Sequence, residues 1–170
     1  AELAPLGVDV AALARVAGQM AEARVALDAA TAQAARDLVI VEAGEVTLPR
    51  ARLVALPDEI ARRLLIHALR MVGGASRPPR RAAIARLRAT IAAAERMTLA
   101  GCVVCASGDS VHIGREPAAV AGLSAAPGAV WDNRWRLHPA PGNDAPRATG
   151  AHVAALGAAG LAQCPDWRQT

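Results

Sequence analysis

At 170 residues the chain has the length for one domain, or one domain and part of another, and its apolar fraction of 54% promises a sizeable core. With no Phe or Tyr and three Trp, that core must be built from Leu, Val, Ile and Ala, a composition that favours helices. All 19 basic residues are Arg against 15 acids, no run reaches the roughly 18 to 20 apolar residues of a membrane span, and no signal peptide opens the chain, so a membrane partner is excluded and a cytoplasmic protein is expected.

In chain order, Asp9 is a good N-cap for a long helix to about Leu38, in which Leu13, Val16, Met20, Ala23, Leu27, Ala30 and Ala34 make one apolar stripe. At 1.5 Å per residue such a helix is roughly 40 to 45 Å long. LVIVEAGEVTL then changes period, with β-branched residues flanking Ala43-Gly44 as in a short hairpin. A short helix is expected between Pro49 and Ala55. Asp58 can cap a second long helix, with Ile60, Leu64, Ala68 and Met71 inward and Gly73-Gly74 as its left-handed stop. Pro79 can open a third, whose buried stripe is Ile84, Leu87 and Ile91.

From Thr98 the pattern reads as strands: GCVVCA, a Ser-Gly-Asp-Ser turn, VHIGRE, an end at Pro117, and after a Pro, Gly and Ala linker the hairpin VWDNRWRL with Asp132-Asn133 at its tip. Residues 139–150 read as loop and 151–163 as an ambiguous Ala and Gly-rich segment. The fold class is α+β, mainly α, with a helical part at 1–97 and a β-rich segment at 98–170 that leads into a truncated C-terminal domain. Ala1 in place of an initiator Met, and an end at Thr170 with no closing element, are what an internal piece of a longer chain would show.

The charge distribution is uneven. Residues 1–49 carry three Arg and seven acids, 50–96 eleven Arg and three acids, and 97–170 five of each. A net +8 confined to a helical region can attract a polyanion, and the alternative for such a block is a solvated surface. The candidate contacts are Arg62, Arg63 and Arg70 on the second helix, Arg77, Arg80 and Arg81 around the Pro78-Pro79 entry to the third, and Arg88 within it.

Three more conspicuous signals predict no chemistry. Cys102 and Cys105 stand three apart on a strand, so their sulfurs should diverge, and no second pair completes a zinc site. Three cysteines, without scaffold spacing, are expected as free thiols in a reducing compartment. A two-residue Gly108-Asp109 turn would set Cys105 opposite His112, yet no orienting group or oxyanion site accompanies them. His67 reads as a helix-surface or packing residue, and His138 and His152 have no recognisable partners. SGDS lacks a glycine of the SGGxDS phosphate loop and is followed by a strand instead of a helix, and a chain without Lys holds no Gly-Lys-Ser/Thr loop.

Between Leu56 and Pro117 the pieces LPDEIARRLLIHAL, GG, RPPR, RL, TLAGC and REP follow one another in an order and spacing that resembles the middle region of bacterial tRNA(Ile)-lysidine synthases. VWDNRW and AALGAAGL resemble a later stretch of proteobacterial members, and with the long N-terminal helix the likeness covers nearly the whole chain. The resemblance implies a parent ligase that uses ATP to activate C2 of the wobble cytidine of tRNA(Ile) and attaches the side-chain amine of free lysine. It places SGGxDS, ATP and magnesium in a catalytic domain that this sequence lacks, so no catalytic residue and no cofactor transfers and this part alone is expected to be no enzyme. It implies tRNA(Ile) as the partner of the helical region, in keeping with Arg on rigid helices; few aromatics argue against a single-strand platform, although Trp131 and Trp135 could stack a terminal base, residues on a hairpin being more often part of a core or an interface. The competing expectation is a basic helical protein-interaction or dimerisation module, and a homodimer is left open.

Overall fold

A computed structural model describes residues 9–136 and 153–155; the expected loop at 139–150 and most of the segment 151–163 lie outside them. The fold is α+β, dominated by helix. Helix α1 spans Val10–Leu38, started as expected by Asp9, whose carboxylate accepts the Ala12 N–H at 2.6 Å. Strands β1 (Ile40–Glu42) and β2 (Glu45–Pro49) form the hairpin, with φ of 48° at Ala43 and 77° at Gly44 giving the left-handed pair that a two-residue turn requires. Helix α2 (Arg50–Val54) is short, α3 spans Asp58–Gly73, and α4 spans Arg81–Ala92.

Strands β3 (Arg96–Leu99), β4 (Cys102–Ser107) and β5 (Ser110–Arg115) follow, then helix α5 (Pro117–Val120) within the expected linker. Strands β6 (Ser124–Ala125), β7 (Val130–Trp131), β8 (Trp135–Arg136) and β9 (Val153–Ala154) make two small pairs, β6 with β9 and β7 with β8. β3 begins two residues before the expected strand region at Thr98, because α4 stops at Ala92.

The main sheet has the order β1-β2-β5-β4-β3, antiparallel throughout. Val46, Leu48, Cys102, Val104, Ala106, Val111 and Ile113 alternate onto its buried face and share one core with Leu65, Leu69 and Val72 of α3 and Ile84, Leu87 and Ile91 of α4. Residue 97, where the sequence pattern divides a helical part from a β-rich one, therefore lies inside a shared sheet. Strand pairing across some sixty residues leaves no mark in local periodicity, which registers only the change from helix to strand.

Two helix details differ from expectation. Asp58 makes no capping hydrogen bond: Pro57 holds the N-cap position and Asp58 lies in the first turn. Met71 is 45% exposed, and Val72 is buried in its place. On α1 the apolar stripe is present, but Leu13, Val16 and Met20 are more than half exposed, and burial is confined to Thr31 and Leu38 toward the end that packs on α3.

The β7–β8 hairpin is tied to the core by charge. Asp132, buried at its turn, accepts from Arg115 Nε at 2.8 Å and Nη2 at 2.6 Å and from Arg134 Nε at 3.2 Å. Arg115 also donates to the Gly101 carbonyl, and Arg134 to that of Gly44. Removing one member of a buried network leaves the others' charge uncompensated. Asp132→Ala should thus lower unfolding free energy by about 3 kcal/mol, measured by urea denaturation; a loss within error of zero would refute the anchoring role.

Candidate nucleic-acid interface

The seven candidate arginines divide by what their elements place beside them. Helical spacing puts Glu59 three residues before Arg62 and four before Arg63, so one carboxylate serves both: Arg62 Nη2 approaches to 2.5 Å and Arg63 Nε to 2.8 Å. Arg63 also pairs with Asp28 of α1, joining the two helices. Hydrogen bonds from Arg62 and then Arg63 hold the Glu59 carboxyl down at about 2. Arg88 reaches Asp58 at 2.7 Å, bringing the later part of α4 to the start of α3 as an antiparallel pair requires, and its hydrogen bond and charge lower the Asp58 pKa. Arg70 Nε donates weakly to the Ala75 carbonyl at 3.4 Å.

Arg77, Arg80 and Arg81 are different. All three are exposed, and among the described residues none makes an ion pair, since Asp58 and Glu59 are engaged elsewhere. Arg80 is the N-cap of α4 and makes no side-chain cap, while its carbonyl accepts the Ala83 N–H at 3.0 Å, so the amides of the first two residues of this twelve-residue helix stay open. Open amides at a helix N-terminus are a general feature of anion sites. Pro78 and Pro79 restrict the chain that enters α4.

A groove of ≈ 710 Å³ between α1 and α3 adds Arg24 and His67 to the side of Arg62 and Arg63. Arg24 lies in the acid-rich first part of the chain and stands 3.7 Å from Asp28. Arg86 is exposed on α4, whose sequence RAAIARLRATIA contains no acid.

The chain is similar, end to end, to a tRNA(Ile)-lysidine synthase. The relative, from Ruegeria pomeroyi (strain ATCC 700808 / DSM 15171 / DSS-3), is 45% identical over 170 residues, which are the whole of this chain and 39% of the relative's length. The resemblance seen in the sequence is thereby borne out, and the chain spans about two fifths of that synthase. No family model and no solved structure matches the chain.

Cys102 is buried, its thiol donating to the Leu69 carbonyl at 3.4 Å, whereas Cys105 is half-buried on the opposite face. Cys105 does pair with His112, but His112 Nδ1 stands 3.0 Å from Thr47 Oγ1 on an exposed sheet face, and among the described residues no group of three His, Cys, Asp or Glu is placed to hold a metal. In the SGDS turn, Arg50 engages the Gly108 carbonyl through Nε at 2.9 Å and the Asp109 carbonyl through its backbone N–H at 2.8 Å, so the turn serves as an acceptor for a cation instead of a cradle for an anion. No helix of the described residues is long and apolar enough to cross a membrane.

Two measurements check these assignments. An unfolded Glu59 would titrate near 4.5 and the folded one at about 2, so its stabilisation is complete above about 4.5 and fades as pH falls toward 2. Glu59→Gln should lower stability near neutral pH by up to about 1 kcal/mol, and urea unfolding should show the gap to the unsubstituted chain closing below pH 4.5. Burial pushes the Cys102 thiol up to about 11, leaving roughly one thiolate in a thousand at pH 8. Alkylation followed by peptide mass mapping should mark Cys105 well before Cys102, and equal rates in the folded protein would contradict the burial.

Proposed function

We propose that this chain is the tRNA-holding portion of a cytoplasmic tRNA(Ile)-lysidine synthase. The observation that carries the reading is the unpaired trio Arg77, Arg80 and Arg81 at the open N-terminus of α4, in a chain 45% identical throughout to such an enzyme. Structured RNA is gripped through phosphates, 2′-hydroxyls and shape, and guanidiniums on a rigid helix pair suit that task. Arg62, Arg63, Arg70 and Arg88 extend the basic surface, but three of them already face carboxylates, so their gain on meeting phosphate is smaller.

Activation of the wobble cytidine with ATP and magnesium, and attack by the amine of free lysine, are assigned to the part of the enzyme outside this chain. The described residues do not fit that cofactor pair: the turn at 107–110 offers carbonyls, and no acidic cluster accompanies it. What this chain supplies is position. Phosphate contacts fix the register of a tRNA body so that its wobble base is presented to a catalytic domain, converting part of the binding energy into orientation.

A second reading, a protein-interaction or dimerisation module, is favoured by the exposed apolar stripe Leu13, Val16 and Met20 of α1. It concerns a different surface from the arginines.

The test is the Arg77→Ala, Arg80→Ala, Arg81→Ala triple variant of the full-length protein. Binding of tRNA(Ile) should weaken about tenfold or more, and the slope of log K against log salt should become shallower by about 0.7 to 0.9 per lost phosphate contact. Unchanged affinity and an unchanged slope would remove the phosphate clamp.

A further inference from the structure

The β7–β8 hairpin presents its two tryptophans differently. Trp131 is half-buried and donates its indole N–H to the Leu123 carbonyl at 3.2 Å. Trp135 is 38% exposed and, with Val41 of β1 and Met71 of α3, borders a recess of ≈ 170 Å³. Those neighbours are themselves 56% and 45% exposed, so three apolar side chains from separate elements converge on one spot at the surface. The seat is built for the indole: a Cβ at Gly44 would stand 2.3 Å from the Trp135 ring, and Gly44 is also one of the two left-handed residues of its turn.

Charge is arranged around the ring. The Arg134 guanidinium carbon lies 5.5 Å from its centroid, and the side chain is held by buried Asp132 and the Gly44 carbonyl. Arg136, the next residue, is exposed. Asp132 is engaged by two guanidiniums and offers no free acid to repel an anion. An exposed aromatic ring and a fixed guanidinium suit a flat π-system attached to a phosphate chain. The recess is well below the roughly 300 Å³ of an ordinary small-molecule pocket, the scale of one ring.

We infer that Trp135, with Met71, Val41 and Arg134, forms a stacking site for one unpaired nucleobase of the bound RNA. This rests on the tRNA-holding reading and adds to it a contact of a different kind, made by a base instead of the backbone. One aromatic gives a local anchor for an end or a flipped base, not a platform along a strand.

The experiment uses the full-length protein with Trp135→Ala, Trp135→Leu and Trp135→Phe, tRNA(Ile) as the probe, and ultraviolet cross-linking with peptide mapping. Stacking is lost in the Ala and Leu variants, so both should bind about tenfold more weakly, while Phe stays within about threefold and all keep the unsubstituted salt slope. A nucleotide adduct should appear on Trp135. Leu fills the recess without stacking, so full binding by Leu but not Ala would show mere packing and overturn the proposal. Unchanged binding by all three without an adduct would overturn it too, and if the Arg77, Arg80, Arg81 variant still weakens binding, the tRNA reading survives that failure. Loss of self-association in the Ala variant, with tRNA affinity intact, would make the patch a protein interface and also overturn it.

Discussion

The pairing of β2 with β5 holds the two parts of the chain together. Val46 faces Ile113 and Leu48 faces Val111, so this register sends four apolar side chains to the helix side of the sheet and leaves Thr47 and His112 on the other. A slip of one residue would reverse both sets. The next residue after β2, Arg50, then reaches the Gly108 and Ala92 carbonyls, linking the β4–β5 turn to the end of α4. This joint ties the C-terminal end of α4 to the sheet.

On that frame the Arg-rich region resolves into two surfaces with different physics. Arg62, Arg63 and Arg88 are partly shielded and occupied by carboxylates, and they brace α1 against α3 and α3 against α4. Arg77, Arg80 and Arg81 sit where the chain is stiffened by two prolines and where a helix leaves its amides unsatisfied. Guanidiniums that need not leave a carboxylate bind phosphate at lower cost. Net charge alone would have weighted all seven equally.

The far end of the domain shows the same economy of anchoring. A buried Asp132 gathers Arg115 and Arg134, and the hairpin that carries it is pressed onto Gly44 and near Gly74, where a side chain would meet the Asp132 carbonyl oxygen at 3.2 Å. Trp135 on that hairpin is left exposed. By contrast, the first part of α1 carries an apolar stripe that the described residues do not cover.

Much was legible in the sequence because it is local. Asp9 as a cap, the Ala43-Gly44 and Asp132-Asn133 turns, the Ile84, Leu87, Ile91 stripe and the divergence of Cys102 from Cys105 all follow from periodicity and backbone preference over a few residues. The likeness to a lysidine synthase was likewise carried by short ordered motifs. Only the tertiary structure decided that β2 shares a sheet with β5, that Asp58 serves Arg88 instead of capping α3, that Met71 is exposed beside Trp135, and which arginines remain unpaired. Each of these depends on groups distant in sequence arriving at the same place, and charge or hydropathy read along the chain has no access to that distance.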